Sequence, residues 1–324
     1  MRFAFTDEQL AFRDAVRDML EKECPPAALR RAWANETGRV SGLWPKLCAM
    51  GVVGADAAAF SPLDLVLVLE ETGRACVPEP VVGTFASGPG GGAAAATGLG
   101  LAVSPLVLYA DSVERLVLEH EGGLWSLPPS RASLAPRPAV DGSRRLFEVS
   151  WDPGDAERLE LDPRSVLDRA ALAAAAQLCG TAQQLLDTAV AYAGQRHQFG
   201  QPIGAFQAVK HKLADVALRL EFARPVVYRA AWSMDPVHVS MAKAHASQAA
   251  LLAARAALQV HGAMGYTVEH DLHMWLKRAW ALAASWGDAA WHVRRVGEAV
   301  LRDRAAAPLD SPVSPGPGRL GTGR

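Results

Sequence analysis

The chain has 324 residues, 50% of them hydrophobic and 21% charged, and 33 Lys and Arg against 34 Asp and Glu leave a formal net charge of −1. That length suits two or three domains, and that composition excludes a fibrous or disordered protein. The near-neutral balance gives no electrostatic reason to expect nucleic acid or a membrane surface as a partner.

The first 82 residues read as an N-terminal helical domain. Thr6 and Gln9 have the spacing of a capping box, and Phe12, Val16, Met19 and Leu20 recur at helical intervals behind them. Pro25-Pro26 is expected to break that helix. A short second helix carries Trp44, Leu47 and Cys48 into Gly51. A third starts at Ser61-Pro62 and runs to Gly73. Residues 83–100, with Gly88-Pro89-Gly90-Gly91-Gly92, read as a flexible linker, because no lysine follows the glycines as a phosphate loop requires. From 101 to 162, short apolar runs such as Leu116-Val117-Leu118 and Leu146-Phe147-Glu148-Val149 alternate with turn signals and predict a small antiparallel β-domain. Residues 163–303 are helical again. Leu172, Cys179, Leu186 and Ala193 lie on one long seam, and Val209, Leu213, Val216 and Leu220 on another, with Pro225 as a kink, so an antiparallel bundle is expected. The proline-rich residues 304–324 read as a disordered tail.

The most apolar long segment, 170–193, is interrupted by Gln177, Gln183, Gln184 and Asp187, so no membrane span is expected. The amino terminus lacks the apolar core of a signal peptide, and Cys24, Cys48, Cys76 and Cys179 show no metal-site spacing. Reduced thiols and a cytoplasmic location are the expectation.

Two segments carry more than packing. Residues 196–207, Arg196-His197-Gln198-Phe199-Gly200-Gln201-Pro202-Ile203-Gly204-Ala205-Phe206-Gln207, join two long helices. They offer a guanidinium, amides, two aromatic faces and a helix amino terminus, which suits a phosphate-bearing aromatic ligand or simply makes a well-built loop. Residues 259–266, Gln259-Val260-His261-Gly262-Ala263-Met264-Gly265-Tyr266, end a helix with two glycines three apart. This is either a C-cap and turn or a place where backbone approaches a ligand. His270 and His273 have no third ligand at metal-site spacing, and Lys210, His211 and Lys212 read as a solvated face.

In this order, with a β-domain ahead of them, the two segments resemble those of the acyl-CoA dehydrogenase family. Phe5-Thr6-Asp7-Glu8-Gln9, residues 44–51 and Leu69-Glu70-Glu71-Thr72-Gly73-Arg74 are similar to the family's opening. The resemblance implies a mainly α fold with a small β-barrel-like middle domain and a C-terminal four-helix bundle. It also implies FAD shared across a subunit interface, an acyl-CoA substrate and an electron-accepting flavoprotein. By position Arg196, Gln198, Phe199, Gly200, Phe206 and Gln207 would meet adenine and phosphates, and Gln259, Gly262 and Gly265 the pyrophosphate. The implied reaction is α,β-desaturation of a thioester, with a buried carboxylate taking the α-proton.

The sequence departs from the family at that base. Trp286 and Gln248 stand at the two places where members carry the catalytic Glu, and Asp288 and Glu269 are the acids nearest the motifs. Short members of this kind resemble subunits of hetero-oligomeric enzymes acting on steroid side chains. The first expectation is therefore a subunit whose sister chain supplies the base. The rivals are a self-sufficient homo-oligomer using Asp288 or Glu269, and a non-catalytic scaffold that has kept the bundle.

Overall fold

A computed structural model describes residues 4–54, 60–88 and 95–306. Helix α1 (Asp7–Glu23) starts on the capping box read from the sequence. The Thr6 hydroxyl accepts from Gln9 N at 3.2 Å, and the Gln9 side chain accepts from Thr6 N at 2.9 Å. Pro26 does more than end α1: it opens α2 (Pro26–Ala34), because a proline in the first turn sacrifices no helical hydrogen bond. Short α3 (Leu43–Ala49) follows, and then α4 (Pro62–Arg74), which is capped by Ser61 with Asp64 and buried continuously from Leu65 to Gly73.

The stretch expected to be a linker is not one where it is described. Val81–Ser87 forms α5, every residue of it buried, and Thr97–Gly100 forms β1, also buried. The Arg169 guanidinium donates to the Phe85 carbonyl at 2.8 Å and lies over the Phe85 ring, which ties α5 to the bundle. Pro89–Gly92 lies outside the described residues, as do Asp56–Ala59 and the tail from 307 onward; the last helix runs to Ala306.

The middle domain has two sheets. One has the strand order β1-β3-β4-β7 and contains β3 (Arg115–His120), β4 (Gly123–Leu127) and β7 (Glu157–Leu159). The other has the order β2-β6-β5 and contains β2 (Val107–Leu108), β5 (Ser133–Arg137) and β6 (Leu146–Ser150). The expected all-antiparallel pairing fails at one place. β1 and β3 are parallel, with Thr97 opposite Arg115. Between them the chain visits β2 in the other sheet, and that crossover lets it return in the same direction.

The C-terminal part is built on three long helices, α6 (Pro163–Gln195), α7 (Gln207–Ser233) and α8 (Pro236–His261), completed by α9 (Leu272–Ala284) and α10 (Ala289–Ala306). α7 continues through Pro225. α4 crosses α6 in backbone contact: a Cβ at Gly180 would lie 1.8 Å from the Glu70 carbonyl oxygen, and one at Gly73 would lie 2.1 Å from that of Gln177. Among the described residues, no helix is long and apolar enough to cross a membrane.

Candidate functional site

Because α7 returns antiparallel between α6 and α8, the C-terminal ends of α6 and α8 and the start of α7 share one end of the bundle. The two sequence motifs sit there together. After α6, β8 (His197–Gln198) and β9 (Gln201–Pro202) form a minimal hairpin. Its turn residues Phe199 and Gly200 have φ of 53° and 82°, the mirror-image turn that suits a two-residue hairpin. That turn holds the Phe199 ring out in solvent, 93% exposed, with the Phe206 ring edge-on at 6.2 Å. The Gln198 amide is folded back, donating to the His197 carbonyl at 2.8 Å.

Arg196 caps α6 through its backbone, and among the described residues its guanidinium has no ion pair. α7 begins at Gln207 without a side-chain cap, so its first N–H groups and the positive end of its dipole are left for an anion. Lys210, His211 and Lys212 lie exposed along its first turns, as expected.

At the end of α8, Gln259 is exposed. Gly262 has φ +58° and only open space where a side chain would stand, so a ligand can come close to its backbone. Gly265 serves packing: a Cβ there would press on Leu258 and His261 at 3.0–3.2 Å. His261 was not singled out by sequence. It is buried and stacked on Tyr192 at 4.2 Å, and its Nδ1–H donates to the Ala257 carbonyl at 2.8 Å. Burial lowers its pKa, so the ring is held neutral. His270 lies edge-on to it, while His273 packs against Trp33, so the two do not form a metal pair. Among the described residues no cluster suits a metal ion.

The second region lies at the far end of α9, about 20 Å along that helix from the glycine motif. Here Trp286 is buried with φ +59°, followed by Gly287 at φ +87°. Two buried side chains pin this turn. His292 Nε2–H donates to the Trp286 carbonyl at 3.0 Å. Lys243 Nζ donates to the carbonyls of Gly287 at 3.0 Å and Ala283 at 3.1 Å. Burial pushes the Lys243 ammonium down to about 7 and the His292 imidazole down to about 4.

Trp286 lines a small cavity where the N-terminal helices, the β-domain and the bundle meet. None of the acids proposed from sequence reaches it. Gln248 is exposed on α8 and accepts from Arg219 at 2.5 Å. Asp288 is exposed and caps α10, accepting from Trp291 N at 2.7 Å. Glu269 is exposed in the turn before α9.

The carboxyl that does line the cavity is Glu79, which sequence reasoning missed. Its Oε2 accepts from Arg39 at 2.6 Å, while Oε1 is buried with no partner among the described residues. Burial pushes this carboxyl up to about 7 against the pull of Arg39. The only local signal was a Glu held between Pro78 and Pro80 at the end of a helical domain; Arg39, its partner, is 40 residues away.

The N-terminal domain model of acyl-CoA dehydrogenases matches residues 6–98, and the C-terminal domain model matches 163–301. The chain is 35% identical over 298 residues to acyl-CoA dehydrogenase IpdE2 of Mycobacterium tuberculosis, covering 84% of this chain and 91% of the relative. The fold is shared with a solved steroid acyl-CoA dehydrogenase variant, Tcur3481-Tcur3483, at TM-score 0.81 and 21% identity, covering 92% of this chain and 99% of that one. It is shared also with the ChsE4-ChsE5 complex of Mycobacterium tuberculosis, at TM-score 0.79 and 20% identity, covering 95% and 100%.

Proposed function

The chain belongs to the acyl-CoA dehydrogenase family, and on that premise we propose that it works as one subunit of an FAD-dependent acyl-CoA dehydrogenase whose sister subunit supplies the catalytic base. The observation that carries this reading is Trp286. An indole cannot take an α-proton, and this one is buried at the place where the family's glutamate is expected. The alternative position, Gln248, faces solvent and carries no charge.

The motif end of the bundle fits the nucleotide part of FAD. The Arg196 guanidinium, which has no ion pair among the described residues, and the uncapped α7 amino terminus favour phosphate charge. The exposed Phe199 ring offers a stacking face, and Gly262 leaves room for a backbone approach. Gln198, Gln207 and Gln259 supply amides beside them. Gly200 and Phe206 shape the turn that presents Phe199, and Gly265 holds the α8 end against Leu258. When bound, FAD supplies the acceptor for the hydride that leaves the acyl β-carbon. The solvent-facing position of these groups suits a cofactor shared with a second chain, and the two-protein ChsE4-ChsE5 fold relative supports such an assembly. The steroid enzyme among the fold relatives favours a CoA thioester with a steroid-derived acyl group, with a flavoprotein as electron acceptor.

A second reading, a self-sufficient enzyme, has one observation in its favour: Glu79, a buried carboxyl with a raised pKa in the same cavity as Trp286. Flavin content and mass of the purified chain test the shared site. A 34.4 kDa monomer should hold little FAD, and a complex with its sister chain should hold it firmly. A monomer carrying one FAD per chain would count against the shared site.

A further inference from the structure

Three cations and two carboxylates meet around the cavity behind Trp286. Arg39 is paired with Glu79. Arg278 is paired with Asp141 at 2.5 Å and donates also to the Val77 carbonyl and the Ser143 hydroxyl, both at 2.9 Å. The odd charge is Arg144. It is 7% exposed, and among the described residues it forms no ion pair; its one side-chain hydrogen bond is to the Ser285 hydroxyl at 3.0 Å. Most of its five N–H groups are left free for a guest, and a guanidinium this far from bulk water gains from an anion beside it. Burial, reinforced by the like charge of Arg278, holds it below the usual guanidinium range despite Asp141. A second lining residue carries a free donor: the Trp286 Nε1–H is buried and has no acceptor among the described residues.

We propose that this cavity is a binding site for one small monoanion, a halide or a carboxylate the size of formate, held by the Arg144 guanidinium and the Trp286 indole N–H. Its room, about 30 Å³, admits one or two water-sized guests and excludes an acyl chain. The pairing also fits an added negative charge, since Asp141 is taken by Arg278 and Glu79 by Arg39, which leaves Arg144 without a carboxylate of its own among the described residues. Glu79 Oε1, unpartnered on the same lining, favours a guest that tolerates a neighbouring carboxyl, and a protonated Glu79 would itself donate to the anion. The inference does not depend on which chain supplies the catalytic base.

Two measurements on the protein as purified decide it. Crystals grown in bromide should show an anomalous peak within hydrogen-bond reach of Arg144 and Trp286; an absent peak overturns the proposal. Thermal unfolding at constant ionic strength, with gluconate exchanged for chloride or formate, should give a saturable rise in Tm. Gluconate is too large to enter. A stronger response to formate assigns a carboxylate guest, and a stronger response to chloride a halide. Trp286→Phe keeps an aromatic ring on the lining, loses the N–H and widens the cavity slightly, and should weaken the apparent affinity roughly 5- to 10-fold. Arg144→Met should abolish the response. If Arg144→Met does not fold, the bromide map and Trp286→Phe remain decisive. A Tm response unchanged in Trp286→Phe, or no ion-specific response in the wild type, contradicts the site.

Discussion

Arg196 and Glu79 show how unevenly single residues can be read. Arg196 announced itself because it shares one short segment with Phe199 and Gln207 at the end of α6 and the start of α7, and among the described residues its guanidinium has no ion pair. In the assembled enzyme, Arg196→Ala should weaken FAD retention about 10- to 100-fold, the worth of a charge-assisted contact, with an unchanged far-UV spectrum. Unaltered flavin content after dialysis would remove Arg196 from the cofactor site.

Glu79 and Arg144 were silent because their environment is assembled from afar. Arg39, the β-domain loop at 141–145 and α9 close around them only on folding. Glu79 makes a pH prediction whose sign is fixed. Its folded-state pKa, about 7, lies above its ordinary value of 4.5, so the stability it confers is complete below about 4.5 and is lost as pH climbs through 7. That loss amounts to about 3 kcal/mol. Urea midpoints of wild type and Glu79→Gln should therefore diverge in the variant's favour as pH rises from 4.5 to 7, and the difference should level off above. A pH-independent difference would mean that Glu79 titrates normally.

At the scale of elements, capping and periodicity identified α1, α4 and the bundle helices, because those signals are local. α2, α5 and β1 were missed for a common reason: each is short and lies beside prolines or glycines that read as breaks, and each is stabilised by what it packs against. α5 depends on α6 and Arg169, and β1 on β3. The crossing of α4 and α6 is equally invisible in sequence, since Gly73 and Gly180 are ordinary helical glycines until the two backbones touch. It predicts a contrast within α6. Gly180→Ala must force the helices apart and should cost about 3 kcal/mol or prevent folding. Gly194→Ala, on the same helix with nothing within 4 Å, should be neutral or stabilising by about 0.5–1 kcal/mol. Equal melting temperatures for the two variants would refute the close crossing.

At the scale of the molecule, the sequence indicated three structural parts and the order of the two motifs, but not the separation of labour among them. The groups of the two motifs sit at one end of the bundle, while the small cavity at the far end of α9 is walled by Trp286 where a catalytic carboxylate would stand. Such a chain can hold part of a cofactor and still lack the group that starts the reaction, which is the central claim. The most direct test is anaerobic flavin reduction by a saturated acyl-CoA, comparing the lone chain with its complex with the sister chain. The complex should bleach the flavin, and replacing the sister's catalytic Glu with Gln should slow it about 10²- to 10⁴-fold, while the lone chain, even when loaded with FAD, should show no more than a trace. Full-rate bleaching by the lone chain, abolished by Glu79→Gln, Asp288→Asn or Glu269→Gln, would contradict the account and make this chain an enzyme with its own base.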